Sequence, residues 1–415
     1  MHAEVLAIGD EIASGRLLDT NSQRLSRRLE EMGVRVRHHT TVADALDACA
    51  AAFRHAVERA EVVVSTGGLG PTDDDLTREA LALATGRNLA LVPEALEHIR
   101  GLFARRKRPM TPRNEKQAFF PEGSRVIRNP NGTAPGIDLR VPRPGRGPCR
   151  IFALPGVPPE IDEMWRDSVA DAVREFAGTA RVIRHRTIKC FGAGESQIEA
   201  MLPDLIRRGR HPAVGINASQ TTIILRISAE GRTEQEVRDA IEPTVETIRA
   251  CLGDLVFGED DDELHNALGR LLAKRRATLA TAEWGTAGLL ADWLGEAAEC
   301  RGWYLGGLVV QSREAASRAL GVPPDVCEYS AGRPLAEAMA ARAHERFGAD
   351  YALAVGPFPA ADPRARDPAS VYFALAGPGG VHVKVHPFAG HPATLKVFCG
   401  KAALNLARLA LLEGR

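Results

Sequence analysis

Short apolar runs alternate with helix-period segments over roughly the first 175 residues, and this alternation constrains the fold more than any other feature. Residues 5–8 and 62–65 are uninterrupted apolar or small runs, typical of strands buried on both faces. Between them, residues 22–32 and 45–59 carry apolar side chains at helical spacing. This alternation predicts a parallel sheet with crossover helices on its faces.

The composition excludes several classes of protein. The chain has 415 residues, of which 45% are hydrophobic, and its 53 basic and 53 acidic side chains cancel. These values are typical of a globular protein with several domains and give no reason to expect nucleic acid or a membrane as partner. Seven cysteines form no CxxC pair, and no signal-peptide pattern opens the sequence. We therefore expect a cytoplasmic protein with reduced thiols.

The order of predicted elements divides the chain into three domains, residues 1–177, 178–258 and 259–415. The first is an α/β domain of three layers, a sheet with helices on both faces. Within it we expect a helix at 93–106, a strand at 150–154 and irregular chain between them. The second has the order βαββαβ, typical of a small α+β module. The third is again α/β and ends in a long helix.

The loops that follow the predicted strands carry the polar residues. Ligands of an open parallel sheet bind beyond the carboxyl ends of its strands. The first such loop contains Glu11, with Asp19 and Asn21 shortly after it, and the second is TGGLGPTDDDLT at 66–77. A third, NPNGTAPG, spans 129–136. Glycines permit close approach of the backbone to a ligand, and a helix beginning after Asp75 offers amides to an anion.

The second loop contains three consecutive aspartates, Asp73, Asp74 and Asp75. They are a more specific sign of a functional site than its glycines alone. Beside an anion site they would repel one another unless a cation lay among them. Oxygen ligands together with substrate phosphates suit Mg²⁺. The alternative is structural: Asp75 caps its helix while Asp73 and Asp74 lie in solvent. The spacing alone leaves both interpretations open.

Four separated motifs closely resemble the competence/damage-inducible CinA family. They are TGGLGPTDDDLT at 66–77, RPMTPRNEKQA at 108–118, NPNGTAPG at 129–136 and LPGVPPE at 154–160, and GAGESQIE at 192–199 continues the resemblance. The resemblance implies a molybdopterin-binding fold for the first domain. It also implies metal-dependent hydrolysis of the pyrophosphate in ADP-ribose or a similar nucleotide. In the wider fold, the Asp-x-Thr after the glycine loop corresponds to Asp75 and Thr77, and an acidic residue after the first strand corresponds to Asp19.

These observations together give a hypothesis for the site. Gly67, Gly68 and Gly70 present amides to the diphosphate, Asp73 or Asp75 holds Mg²⁺, Mn²⁺ or Co²⁺, and Glu11 or Asp74 activates a water molecule. Further substrate contacts are expected from Thr72, Thr77, Asp19, Asn21, Asn131 and Gly132.

The third domain resembles the family's nicotinamide-nucleotide amidohydrolase domain but lacks its reactive groups. Trp284 stands at the position of the nucleophilic serine, and Gln311 and Ala316 stand at those of the tyrosine and lysine. The glycine-rich loop is replaced by residues 356–359, and His391-Pro392 replaces an Asp-Arg pair. We expect a folded domain without amidase activity that contributes to a homodimer. The rival hypothesis for the whole chain is a non-catalytic nucleotide- or molybdopterin-binding protein whose third domain serves assembly.

Overall fold

The computed structural model describes residues 1–178, 182–202, 204–207, 209–297, 299–329, 332–359 and 369–414. The chain forms two compact units. The first comprises Met1–Arg184 and Glu230–Asp239, and the second comprises His185–Ala229 and Ala240–Arg415. Strands and helices alternate in both, which confirms the predicted α/β class.

The first unit is built around one sheet with helices on both faces. Its strands are β1 (His2–Ile8), β2 (Arg35–Val42), β3 (Val62–Thr66), β4 (Leu89–Leu91), β5 (Phe119–Pro121), β6 (Arg125–Ile127), β7 (Gly136–Arg143) and β8 (Arg146–Leu154). Its helices are α1 (Asp10–Ala13), α2 (Thr20–Glu31), α3 (Leu46–Arg59), α4 (Thr77–Thr85), α5 (Pro93–Arg105), α6 (Pro158–Met164) and α7 (Ala170–Ala177), with a 3₁₀ segment at Pro112–Ala118.

The main sheet has the strand order β2-β1-β3-β8-β7-β6. The strands β2, β1, β3 and β8 are parallel, whereas β7 and β6 are antiparallel to their neighbours. Alternate residues of β3 enter different cores, Val63 on one face and Val62 and Val64 on the other. The predicted three layers are therefore present. Because β1 is flanked by β2 and β3, the connections diverge at its carboxyl end, where open sheets bind their ligands.

The segment expected to be irregular contains strands. β7 and β8 form a hairpin whose turn includes Gly145, and β5 pairs with β4. The expectation was wrong because prolines and glycines in this segment were interpreted as loop, although an antiparallel hairpin accommodates both at its turn and edge. The strand predicted at 150–154 is the buried end of β8.

The remaining strands and helices form two further sheets. The strands are β9 (Val182–Cys190), β10 (Ala213–Ser219), β11 (Thr222–Gly231), β12 (Val256–Glu259), β13 (Leu279–Glu283), β14 (Tyr304–Val309), β15 (Tyr351–Val355), β16 (Ser370–Gly377) and β17 (Gly380–Pro387). The helices are α8 (Glu195–Met201), α9 (Glu234–Leu252), α10 (Leu264–Arg275), α11 (Leu289–Glu296), α12 (Arg313–Ala315), α13 (Pro324–Tyr329), α14 (Arg333–Phe347) and α15 (Pro392–Leu412).

The strand orders of these sheets are β10-β11-β9-β12 and β14-β13-β15-β16-β17. The elements β9 to β12 follow the predicted order of strand, helix, two strands, helix and strand. Among the described residues, the helices are too short or too polar to cross a bilayer.

A buried ion pair joins β7 to β8, the strand that leads into the site. The Arg150 guanidinium donates Nε to Asp138 Oδ1 at 2.9 Å and Nη2 to Asp138 Oδ2 at 2.7 Å. Its Nη1 donates to the Ala172 carbonyl of α7 at 2.7 Å. Arg150 is 1% exposed and Asp138 8% exposed, so each charge depends on the other for compensation.

We expect Arg150→Met to destabilise the first unit by about 3 kcal/mol, because it leaves the Asp138 carboxylate buried without its partner. Differential scanning calorimetry should show the corresponding transition falling by about 6–12 °C. The double variant Arg150→Met/Asp138→Leu removes both charges and should recover part of that loss. Equal destabilisation of the single and double variants would show that packing, rather than charge, decides the effect.

Candidate functional site

A cavity of about 690 Å³ lies at the carboxyl ends of β1, β3 and β8. It is open on one side and is lined by the loops that follow these strands. Eight of the residues selected from the sequence line it: Glu11, Asp19, Asn21, Gly67, Gly68, Gly70, Asp74 and Asp75. Five selected residues do not: Thr72, Asp73, Thr77, Asn131 and Gly132. The structure thus brings the first two predicted loops together.

The turn after β3, residues 67–70, is fixed from the side of α4. Gly67 has a φ of 103°, and a Cβ atom there would lie 2.0 Å from the Ile8 carbonyl oxygen, so only glycine fits. The Thr77 hydroxyl donates to the Gly67 carbonyl at 2.9 Å, and the Thr77 amide donates to the Gly68 carbonyl at 3.1 Å. Thr77 therefore shapes the turn from outside the cavity.

The amides left open by this turn are those of Gly68 and Leu69. In a trans peptide the N–H points opposite to the C=O, so carbonyls held by Thr77 direct these two amides away from α4. No acceptor for them lies within hydrogen-bond distance among the described residues. Successive open amides form an anion-binding concavity, or nest.

Two amides assigned to the diphosphate are already engaged, so the structure corrects this part of the hypothesis. The Gly67 amide donates to the Leu154 carbonyl at 3.0 Å. The Gly70 amide donates to Asp75 Oδ1 at 2.7 Å. Both glycines still line the cavity, where their lack of a side chain leaves space for a ligand. Leu69, which the sequence reasoning missed, supplies an open amide in their place.

The Asp75 carboxylate stabilises the turn. Besides the Gly70 amide, it accepts the Thr72 amide at 2.8 Å and the Thr72 hydroxyl. Lys116, which lies in the second of the recognised motifs, donates Nζ to the Asp75 carbonyl at 2.6 Å and to the Thr72 carbonyl at 3.2 Å. Thr72 and Asp75 therefore organise the loop, and their predicted contacts with substrate and metal remain predictions.

Asp73 lies apart from the cavity. Its side chain is 86% exposed and pairs with Arg113 at 3.6 Å. In the part of the chain that the structure describes, no group of three or more histidine, cysteine, aspartate or glutamate side chains is placed to hold a metal ion. Of the two candidate metal ligands, Asp75 therefore lines the cavity and Asp73 does not.

Of the carboxylates that line the cavity, Glu11 and Asp74 lie close enough to Asp44 to act on its ionisation. Asp44 exchanges hydrogen bonds with Asp10, whose amide donates to Asp44 Oδ2 at 2.9 Å while the Asp44 amide donates to Asp10 Oδ1 at 3.0 Å. Burial raises the pKa of the Asp44 carboxyl, and the negative charges of Asp10, Glu11 and Asp74 raise it further. Like charges thus lie close enough to oppose the ionisation of Asp44.

Asp44 was not selected from the sequence. The available signal was its place two residues after the segment that forms β2, which is parallel to β1 and ends at the same edge. A divalent ion such as Mg²⁺ is commonly held by one or two carboxylates, with water and substrate phosphates completing its shell. Glu11, Asp44 and Asp74 offer one or two such ligands, and no three side chains of the described residues are placed to hold the ion by themselves.

The other selected residues either line the cavity or support a neighbouring loop. Asp19 caps α2 by accepting the Ser22 amide at 2.9 Å, and Asn21 donates to the Gly156 carbonyl at 2.8 Å. In the third loop, the buried Gly132 amide donates to the Asn129 side chain at 2.7 Å, and exposed Asn131 donates to Glu163 at 2.6 Å. Asn131 and Gly132 therefore support a neighbouring loop instead of lining the cavity.

The second unit contains Trp284, which the resemblance aligns with a nucleophilic serine. Half-buried Trp284 packs against an apolar cluster that includes Ala316. The ring of Phe358 lies so close to Gly285 that a Cβ atom there would be 2.6 Å from it. The carboxylate of fully buried Glu283 accepts the Thr286 hydroxyl at 2.7 Å and also backbone amides at the start of α11. Indole and phenyl rings thus lie where the family places reactive groups.

Comparison with known proteins finds family matches over most of the chain. Family models match residues 4–175 (probable molybdopterin binding domain), 185–258 (damage-inducible protein CinA KH domain) and 261–411 (CinA C-terminal domain). A CinA-like protein of Geobacter sulfurreducens is 35% identical over 99% of this chain and 100% of its own length. A CinA-like protein of Frankia casuarinae is 36% identical over 99% of this chain and 96% of its own length. The chain belongs to the CinA family.

A solved structure of CinA from Thermoplasma acidophilum, titled as being of unknown function, is 37% identical. It covers 41% of this chain and 98% of its own, with a TM-score of 0.38. The molybdopterin-binding-like fold of the first domain is confirmed by the family model and the sheet topology.

The pKa of Asp44 predicts a stability effect with a defined sign. A group whose pKa is raised on folding binds its proton more tightly in the folded state, so its contribution to stability is lost as the pH rises through that pKa. Asp44→Asn removes the repelled charge and keeps an oxygen for the Asp10 amide. At pH 7 the variant should unfold about 1–3 °C higher than wild type.

The difference should disappear as the pH falls to about 4 or lower, where the wild-type carboxyl is protonated. Calorimetry across this range measures it. A lower midpoint for Asp44→Asn at pH 7 would contradict the crowding of these carboxylates.

Proposed function

We propose that the first domain hydrolyses the pyrophosphate bond of a nucleotide diphosphate such as ADP-ribose, assisted by a divalent cation. The observation that carries this proposal is the cavity, in which the open amides of Gly68 and Leu69 share one space with Glu11, Asp44 and Asp74. Its volume of about 690 Å³ is within the range of small-molecule sites. Amides suit the phosphate oxygens, and carboxylates suit a cation or a proton.

The chemistry requires one water molecule. Water attacks one phosphorus atom, the bridging P–O bond breaks, and ADP-ribose yields AMP and ribose 5-phosphate. A carboxylate must accept the proton of the attacking water, and a raised pKa brings a carboxyl nearer to the range suited to that role. Asp44 has that property, so it is a third candidate for the base beside the two residues selected from the sequence, Glu11 and Asp74.

The amides of Gly68 and Leu69 would hold the diphosphate while the carboxylates face its phosphorus atoms. A cation bound by Glu11, Asp44 or Asp74 would supply charge neutralisation and Lewis-acid polarisation of the phosphates. Asp75 and Thr77 would maintain the turn that presents the amides.

The test is release of AMP from ADP-ribose with Mg²⁺, Mn²⁺ or Co²⁺ and with EDTA as the control. Asp44→Asn and Asp74→Asn should each lower kcat/KM by about 100-fold, because each removes a positioned charge. Asp73→Asn is the matched control: it changes an exposed aspartate of the same loop and should leave the rate within about twofold of wild type.

Binding of ADP-ribose without turnover under all three metals would support the rival, a non-catalytic nucleotide- or molybdopterin-binding protein. Equal losses in the Asp73→Asn and Asp74→Asn variants would instead contradict the distinction between cavity and solvent carboxylates.

For the third domain we propose that nicotinamide mononucleotide deamidase activity has been lost. Neither Trp284 nor Ala316 has a group that attacks an amide or moves its proton. The triple variant Trp284→Ser/Gln311→Tyr/Ala316→Lys should also stay inactive, because Phe358 still lies against Gly285 and a nucleophile needs a preorganised pocket. Ammonia release from nicotinamide mononucleotide measures both proteins against a no-enzyme blank. Release by the wild-type chain would overturn this assignment.

A further inference from the structure

Arg78 is a fully buried cation directly beside the turn that borders the cavity. Its exposure is 0%, and it is the second residue of α4. Its Nη2 donates to the Leu69 carbonyl at 2.6 Å and its Nη1 to the Gly70 carbonyl at 3.4 Å. Its Nε has no hydrogen-bond partner among the described residues. The guanidinium is therefore held by loop carbonyls.

This placement costs stability. A cation in the first turn of a helix opposes the helix dipole, and a buried charge loses its hydration. Burial lowers the pKa of Arg78 to about 10, although the charges of Glu79 and Asp75 oppose the shift. In the part of the chain that the structure describes, no carboxylate lies within ion-pair distance of Arg78. The adjacent Glu79 pairs instead with Lys116 at 3.4 Å. At neutral pH the residue is still charged.

The contacts of Arg78 connect it to the anion side of the turn. The Leu69–Gly70 peptide accepts from Arg78 through its carbonyl and donates to Asp75 through its amide at 2.7 Å. One peptide group thus separates a buried cation from a carboxylate that lines the cavity. Without the cation, the Asp75 charge would repel a diphosphate bound to the neighbouring amides of Gly68 and Leu69.

We propose that Arg78 is a positioning residue for the diphosphate: its buried charge offsets Asp75 and orients the turn, so that an anion binds beside carboxylates. The inference rests on the proposed function for the identity of the ligand. It assigns to Arg78 an effect through the peptide backbone, without contact with substrate.

The test is calorimetric titration of the full chain with inorganic pyrophosphate and with orthophosphate, in EDTA. Arg78→Met should weaken pyrophosphate binding by about 10- to 100-fold and orthophosphate binding by less, because a charge effect grows with the charge of the ligand. Arg78→Lys keeps the charge and should bind pyrophosphate within about threefold of wild type.

Arg150→Met is the matched control, since it removes another buried arginine of the first unit that does not line the cavity. It should lower the unfolding temperature but leave the pyrophosphate Kd within about threefold. If Arg78→Met does not fold, the pyrophosphate affinity of Arg78→Lys still tests the inference. A retained affinity supports the charge effect, and a loss of tenfold or more overturns it.

Two further results would overturn the inference: equal losses for both anions in Arg78→Met, or no pyrophosphate binding by wild type. Failure of the proposed function has a different signature. If pyrophosphate binds with the predicted dependence on residue 78 but ADP-ribose is not hydrolysed with any metal, the anion site stands and the hydrolase assignment falls.

Discussion

The two hydrogen bonds from Thr77 to the carbonyls of Gly67 and Gly68 are the constraint on which the site depends. They hold the carbonyls toward α4, so the intervening amides point the other way. The close approach to Ile8 at Gly67 then brings the turn against the end of β1. A threonine selected as a ligand contact thus acts by shaping the backbone. The proposed anion site therefore consists of backbone amides of the turn and not of its side chains.

The sequence was sufficient to predict the parallel strands of the first sheet but not the strands of its antiparallel edge. Strands such as β3 are buried on both faces, and their unbroken apolar runs identify them without knowledge of their neighbours. β7 and the outer half of β8 are partly exposed and are interrupted by proline and glycine, so they lack such a run. Their pairing is decided by tertiary contacts such as Arg150 with Asp138, which lie 12 residues apart and have no local pattern.

For the site as well, one part could be predicted from the sequence and another could not. Glu11, Asp19 and Asp74 follow strands of the parallel sheet, and parallel strands end at a common edge. This was enough to predict that the three residues surround one cavity. The direction of each side chain was not predictable. Asp75 accepts hydrogen bonds from its own loop, and Asp73 faces solvent two residues away. Those directions follow from the backbone of the turn, which the letters DDD do not specify.

The charges around the turn also explain why an acidic loop is compatible with an anionic ligand. Burial and the charges of neighbouring carboxylates raise the pKa of Asp44, so the cavity already stores unfavourable electrostatic energy without a ligand. Arg78 donates to the Leu69 carbonyl of the turn, and Lys116 donates to the Asp75 carbonyl of the loop that follows it. The peptide bound by Arg78 gives its amide to Asp75, whereas the two peptides with open amides, those of Gly68 and Leu69, have their carbonyls held by Thr77. In this arrangement the backbone meets the phosphate oxygens and the carboxylates stay available for a cation or a proton, which favours a site for a diphosphate accompanied by a divalent ion over a site for an isolated anion.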